Sequence, residues 1–542
     1  MSPEPVDGET VQLVSPGVHP VVITLLGADG AELDQIRTPL VRLGEDQEDW
    51  EAPGLAVLLD VAAPPTLQPD GTRAIGAAEL RRLARTGAVL GDHPELGLSV
   101  AAVPDTVDAL ATLPDPSAEE LLDRLRGQEL LALPYLPLPL ASLIDAGVGG
   151  VITPLVDRGD ALLTDRLAAS PERSAWTDAA AVGPDGARLL VDLGFDAVLV
   201  DPAIPADDDE DADEPAPLLD AGPRPVEGTP GLRGIVADPS LSAELADAAG
   251  DDPDAAHDAL ARLLLRPVED PDGDGESTVL ARPGDLDVGS VLSRLLALLD
   301  DPRSPVRVGG LDLVPTAVDD DAEPVEATEV EPPDIADAAR RVLAAAVPLD
   351  SLEVMIGTAS SRADALRLQV ATALATTTPP TGRDASLDTV EEALRTAFAG
   401  IRLSGQTDLN LTSRRGSLPV TVENANPFPV DVVVQIRSDR LSFPDGELVP
   451  VTVEAGDIRR IDVGVEALAT GSVPVFVELW TPADQVQLDG RRLNVRSTAI
   501  SGVGVVLSLG ALLVLVVWWA RSWRRNRRAR VDEPQPAAEP MG

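Results

Sequence analysis

The amino-acid sequence predicts a multidomain α/β-plus-β protein: a TIM-like barrel, complete or incomplete, then a helical segment, an immunoglobulin-like β-sandwich and one C-terminal transmembrane helix. Three observations predict it. Short apolar runs alternate with amphipathic helical patterns over residues 47–317, the apolar period falls from 3.6 to 2 over residues 404–498, and residues 499–520 carry no charge at all.

Residues 18–43 (VHPVVITLLGADGAELDQIRTPLVRL) read as two short strands around a Gly/Asp turn. Two strands cannot bury a sheet face alone, so residues 1–46 read as the remnant of an N-terminal β-domain. In the α/β stretch the strand candidates are 55–59, 98–103, 130–133, 197–200, 234–237 and 278–280, with helices at 79–86, 118–127, 241–249 and 291–299 between them. Alternating strand and helix patterns indicate βα units on a parallel sheet, and six or more repeats fit one barrel. An open doubly wound sheet is the alternative. Residues 206–217 (ADDDEDADEPAP) and 318–334 are acidic, Pro-rich and poor in large apolar residues, so they read as a solvated loop and a linker. Residues 335–403 have Ala, Leu and Val at helical spacing with a Pro/Thr break at 376–381, and are expected to pack on the barrel.

In residues 404–498, Leu418, Val420 and Val422 alternate with Pro419, Thr421 and Glu423, and VPVFVELW repeats the pattern. Six or seven such runs, separated by Gly, Pro, Asn and Asp turns, make a β-sandwich, although the cysteines of antibody-type domains are missing. The final apolar run, AISGVGVVLSLGALLVLVVWWA, reaches about 33 Å as a helix, enough for a hydrocarbon core of about 30 Å. Trp518, Trp519 and Trp523 stand where an interfacial aromatic belt belongs. Arg521, Arg524, Arg525, Arg527, Arg528 and Arg530 follow it, against Arg491, Arg492 and Arg496 before it. Basic flanks stay in the cytoplasm, so residues 521–542 are expected inside and the bulk outside the cell membrane. The N-terminal MSPEPVDGETVQLVSPGVHP has neither a basic n-region nor an apolar h-region. Either the start lies upstream or the chain is tail-anchored with a cytoplasmic body, and the arginine bias favours the first reading.

The chain carries 91 acidic against 42 basic residues, a net charge of −49, which repels phosphate backbones and excludes nucleic acid as a partner. With no cysteine, disulfides, thiolate catalysis and Cys-ligated metals are excluded as well.

In a parallel α/β domain chemistry sits where strands end. Those ends offer Asp60 (VLLD), Asp105 (VAAVPD), Asp201 (VLVDP) and Asp238 (IVADP), with Tyr135 (LALPY), the only tyrosine of the chain. Paired carboxylates are the acid and base of a glycosidase, and a lone aromatic at a barrel mouth can stack on a sugar ring. Asp at a strand-to-helix turn is equally the favoured N-cap. Taken singly, each aspartate is better read as a cap and Tyr135 as packing. His19, His93 and His257 do not converge at that rim, which argues against a His-ligated metal. Asp270, Asp272 and Asp274 (DPDGDGE) start like a calcium loop, but its twelfth position is Ala281, not the bidentate Glu, so a solvated loop is expected. No cofactor is expected.

The succession VAAVPD, ELLALPY, LARLLLRP with STVLARP, LTSRRGSLPVTVENANPFPVDVVVQIRSD and GSVPVFVELWTP, then a span with arginines, resembles a family of actinobacterial single-pass membrane proteins of unknown function. The resemblance covers about residues 10 to 525 and is most specific in the sandwich and anchor. It implies a sugar-hydrolase-like or deacetylase-like α/β region and genes typically beside a MurJ/MviN-type lipid II flippase. It establishes no catalytic residue, and Leu136, Pro137, Leu138 and Pro139 stand where the family tends to small and acidic residues. The expected function is a membrane-anchored extracytoplasmic cell-envelope protein, a non-catalytic glycan-binding or scaffold partner in peptidoglycan assembly. Its partners would be the membrane and an envelope glycan or a flippase-type membrane protein. The alternatives are a glycan hydrolase using paired rim aspartates and a cytoplasmic tail-anchored scaffold.

Overall fold

In the computed structural model the described residues are 17–42, 52–177, 182–200, 218–246, 255–269, 278–283, 290–300, 304, 306–318, 322–325, 334–357, 360–469, 471–483, 485–497 and 502–528. They fall into two compact units, Met1–Ala345 with Asp364–Glu391, and Ala346–Ala363 with Glu392–Gly542.

The first unit opens with β1 (Gly17–Leu26) and β2 (Glu32–Arg42), an antiparallel hairpin. Then come β3 (Gly54–Val61), α1 (Ala77–Asp92), β4 (Ser99–Ala102), α2 (Pro104–Leu110), α3 (Pro116–Leu125), β5 (Glu129–Leu130), α4 (Leu140–Asp145), α5 (Ile152–Leu167), α6 (Gly183–Asp192) and β6 (Ala197–Val200). They are followed by β7 (Arg224–Pro225), β8 (Arg233–Val236), α7 (Pro239–Ala246), α8 (Ala255–Glu269), β9 (Thr278–Ala281), α9 (Ser290–Leu299) and β10 (Arg307–Gly309). The six apolar runs read as strands coincide with β3, β4, β5, β6, β8 and β9.

Strands β10, β3, β4 and β5 form one parallel sheet with β9 also on β3. Strand β6 pairs parallel with β8, and β7 joins β8 antiparallel. Parallel bridges run from Leu131 to Glu172, from Trp176 to Val198 and from Ala237 to Leu280, so they link the two sheets at both sides. The first unit is mixed α/β with a half-barrel sheet. Residues 172–176 (ERSAW) take part in this pairing although their polar sequence carries no strand signal.

All eight residues of β3 are buried, as expected of a parallel strand covered on both faces. Side chains alternate along it. Leu55, Val57, Leu59 and Val61 join Leu83 and Leu90 of α1, Leu121 and Leu125 of α3 and Leu292 of α9 in the core between sheet and helices. Ala56 and Leu58 join Ala101, Leu131, Leu133, Leu199, Ile235 and Leu280 in a second core on the opposite face. The hairpin touches the first core through Val41 and leaves Val22, Ile23, Leu25, Leu26, Leu33 and Leu40 exposed.

Helices α10 (Ala336–Ile356), α11 (Ser361–Leu374) and α12 (Pro380–Ala399) follow, with the break between α11 and α12 at the Pro/Thr run. The part between Asp364 and Glu391 docks on the first unit. Asp364 takes Nη1 and Nη2 of Arg158 at 2.6 and 3.0 Å, Gln369 donates to the Gln68 carbonyl at 2.6 Å, and the Thr376 N–H donates to the Pro137 carbonyl at 3.0 Å.

The second unit contains β11 (Ile401–Ser404), β12 (Asp408–Leu411), β13 (Arg415–Asn424), β14 (Val430–Arg437), β15 (Leu441–Ser442), β16 (Leu448–Val453), β17 (Ile458–Ala467), β18 (Gly471–Trp480) and β19 (Gln487–Ser497). They make two sheets, β11-β13-β17-β15 and β12-β19-β18-β14-β16, antiparallel except for β12 on β19. Leu418, Val420 and Val422 of β13 and Val473, Val475, Val477 and Leu479 of β18 are buried while their neighbours face outward, the period-2 pattern of a sandwich core. Helix α13 (Gly502–Arg528) follows, and its stretch Val506–Arg525, with mean hydropathy 1.7 and no burial, is long and apolar enough to cross a membrane. The helix continues past Ala520 because nothing in ARSWRRNRR breaks it, and Trp519 and Trp523, one turn apart, stack with ring centroids 6.1 Å apart.

Candidate functional site

The strand ends of the first unit surround a cavity of ≈ 850 Å³. Asp60 at the end of β3, Val103 after β4, Leu133 after β5, Thr177 after residues 172–176 and Arg282 after β9 all line it. One side is the face of α1 bearing Ala78, Glu79, Arg81, Arg82 and Arg85, spaced at one helical turn, whereas Leu83, Gly87 and Leu90 of the same helix face the core. Thr376 and Thr377, between α11 and α12, complete the wall.

Among the described residues Asp60 is the one rim aspartate in that wall, and it is held. Its Oδ2 accepts from Arg282 Nε at 3.0 Å and its Oδ1 from Nη2 at 3.1 Å, a fork-to-fork pair, while Arg282 Nη1 donates to the Thr177 carbonyl at 2.6 Å. Glu79 pairs with Arg82, which also donates to the Ala62 carbonyl.

Asp105 lies elsewhere, 1 % exposed. Its Oδ2 accepts the Thr66 N–H at 2.7 Å and its Oδ1 takes Arg73 Nη1 at 2.5 Å. Arg73 Nη2 donates to the Tyr135 hydroxyl at 2.5 Å and lies 3.0 Å from Asp108, which also pairs with Arg166. Burial, then the charge of Asp105, pushes the Tyr135 phenol far above its ordinary range. Arg158 lies over the tyrosine ring at 5.0 Å and Arg73 at 5.8 Å, and the residue is 1 % exposed, so it has no face open to a sugar. Of the two roles weighed for Tyr135, stacking on a sugar and packing, its surroundings favour packing, because the guanidinium groups of Arg73 and Arg158 lie over the ring.

Asp238 is a helix cap. Its Oδ1 accepts the Leu241 N–H at 2.7 Å and the Ser240 hydroxyl at 2.8 Å, and its Oδ2 the Leu219 N–H at 2.7 Å. Asp201, Asp270, Asp272 and Asp274, with the acidic loop 206–217, lie outside the described residues, as does Arg530. No group of three or more His, Asp or Glu side chains able to hold a metal occurs among the described residues. His93 sits at the other end of the sheet, its Nδ1 3.3 Å from Asp300.

Among the described rim aspartates, Asp60, Asp105 and Asp238 are each held by their own partners, and only Asp60 lines the cavity. What the strand-end rule overlooked is Arg282, which follows β9 in STVLARP as Asp60 follows β3; searching strand ends for carboxylates alone passed over it. The arginines of α1 had a signal too, since RRLAR places three cations within one turn.

Residues 312–538 match the model of a "Family of unknown function (DUF6049)". That stretch contains α10 to α13 and the sandwich, while Asp60, Thr177 and Arg282 precede it. No curated protein matches the chain. Similar solved structures include an ASH/PapD-like domain of human CEP192 (PapD-like domain 7), 11 % identical over 19 % of this chain and 87 % of that one, with a TM-score of 0.15. WR4, a C. elegans MSP family member, is 10 % identical over 18 % of this chain and 99 % of that one, with a TM-score of 0.15. A FixG-related protein from Vibrio parahaemolyticus is 9 % identical over 16 % and 79 %, with a TM-score of 0.14.

Proposed function

We propose that the chain is a single-pass cell-membrane protein of the actinobacterial envelope whose first unit is a TIM-like barrel that binds glycan at its strand-end rim without hydrolysing it. The barrel reading is supported by the parallel bridges that join the two sheets at both sides and by a core drawn from β3, β4, β6, β8 and β9 together with Leu131, Leu133 and Ala175. The envelope setting, with a flippase-type membrane partner, rests on the family resemblance of the sequence. The bulk would be extracytoplasmic, on the strength of the arginines after the span.

The observation that carries the binding reading is the cavity at the strand ends, of a size that fits an oligosaccharide unit, whose described rim aspartate Asp60 is already paired while Asp105 is a buried anchor and Asp238 a buried cap. A glycosidase needs one carboxylic acid to protonate the leaving oxygen and one free carboxylate to act on the other side. Asp60, with Arg282 across both oxygens, is suited to neither.

The test is incubation of the full-length protein in detergent with N-acetylglucosamine oligomers and peptidoglycan fragments. Binding is expected in calorimetry, with no new reducing ends. Release of reducing ends that disappears in Asp60→Asn or Glu79→Gln would establish the hydrolase instead, because these two carboxylates share the cavity wall.

A further inference from the structure

Four of the arginines of this chain, Arg81, Arg82, Arg85 and Arg282, line the strand-end cavity, against only Asp60 and Glu79 among its described carboxylates. Among the described residues the wall therefore carries a formal charge of +2, in a protein whose net charge is −49. Acidic residues outnumber basic ones by more than two to one over the whole chain, and here the ratio is inverted.

Arg82 is tied to Glu79 and the Ala62 carbonyl, and Arg282 to Asp60 and the Thr177 carbonyl. Arg81 pairs with no carboxylate among the described residues. Arg81 and Arg85 stand four residues apart on one face of α1, so both side chains reach the same part of the cavity wall. Between them and Arg282 the wall is apolar, from Ala63, Pro64, Val103, Leu133 and Pro137. Low-polarity walls concentrate the field of the cations into the cavity.

We infer that the cavity recognises an oxyanion, phosphate or carboxylate, carried on a sugar-sized body, with Arg81 and Arg85 as the entry cations and Arg282 as the inner fork. The inference rests on the glycan-binding reading for the body of the ligand and on the arginines for its charge. Guanidinium forks match the two oxygens of a phosphate or carboxylate, and the Asp60 carboxylate occupies the fork of Arg282 in the unliganded protein as an internal anion.

Calorimetry on the full-length protein in detergent tests it, with glucose 6-phosphate, glucuronate, glucose and inorganic phosphate as probes. One or both charged sugars should bind at least tenfold tighter than glucose, and whichever does names the oxyanion. The double variant Arg81→Gln/Arg85→Gln should lose about tenfold in that affinity, whereas Arg188→Gln, on the exposed face of α6, should lose none. Asp60→Asn should bind the charged sugar more tightly, because the neutral amide keeps one acceptor on Arg282 but no longer competes as an anion for its fork. Glucose binding as well as the charged sugars, or an unchanged double variant, would overturn the oxyanion and leave the glycan reading standing. Inorganic phosphate binding while every sugar fails would uphold the oxyanion and remove the glycan. Silence with all four probes overturns both the oxyanion and its sugar carrier.

Discussion

Asp60 and Asp105 occupy comparable strand-end positions but carry different energetic weight. Asp105 is 1 % exposed and anchors both the Thr66 N–H and Arg73, so removing its charge leaves a buried backbone donor unmet and the part-buried Arg73 guanidinium with Asp108 as its one remaining carboxylate among the described residues. Asp105→Ala should cost about 3–5 kcal/mol. Asp60 faces the cavity, where water can replace it around Arg282, and Asp60→Asn should cost about 1–3 kcal/mol. Hydrogen exchange of the β3 and β4 amides against urea ranks the two, and a greater loss for Asp60 would contradict the arrangement. Glu129 offers a pH test. Burial pushes its carboxyl above the ordinary value of 4.5, with Glu172 and Asp312 adding to the shift against the hydrogen bond that the Ser99 hydroxyl donates. As pH rises through 4.5 the unfolded chain ionises first, so stability present below that value is lost as pH climbs through the folded pKa. Glu129→Gln keeps the acceptor and removes the charge. It should be more stable than the parent at about pH 7, and equal to it at about pH 4, in urea unfolding.

At the scale of elements, close approach decides two junctions. A Cβ at Gly159 in α5 would lie 2.1 Å from the Leu133 carbonyl oxygen, so this helix reaches the end of β5 only because the residue lacks a side chain. Gly159→Ala should cost about 1–3 kcal/mol and displace Leu133 in the cavity wall, measured as a lower melting temperature together with weaker ligand binding. In the sandwich, Asn424 is 1 % exposed and its Nδ2 donates to the carbonyls of Phe428, Val453 and Glu454 at 2.8, 3.1 and 3.0 Å, closing the turn between β13 and β14. Asn424→Ala should destabilise the second unit by about 1–3 kcal/mol, read as faster exchange confined to β13, β14 and β16. Elements of this kind were legible where their period was strong. The apolar runs of β3 to β9 and the alternation in β13 and β18 show in the residues themselves, because a strand buried on both faces and one buried on one face leave different patterns. Residues 172–176 escaped because their place is held by main-chain pairing, which any sequence can make.

For the whole molecule, the proposed single-pass topology can be tested on a clean background, since the chain has no cysteine. Single cysteines introduced as Thr412→Cys, at an exposed site of the second unit, and as Ala538→Cys, in the tail, can be labelled with an impermeant maleimide on intact cells. Thr412→Cys is expected to label at once and Ala538→Cys only after lysis; the reverse order would establish the cytoplasmic tail-anchored form. By itself the sequence determined the order of the parts: an α/β stretch, helices, a period-2 β stretch and an apolar helix followed by arginines. Periodicity and charge are local properties, and each segment displays its own. Only the tertiary structure decided the site. Whether an aspartate is a cap, an anchor or a cavity wall depends on donors far away in sequence, as Asp60 meets Arg282 and Asp105 meets Arg73. The same distance hid the cavity arginines, since the cations of α1 and the one after β9 share a wall only once the strands are side by side.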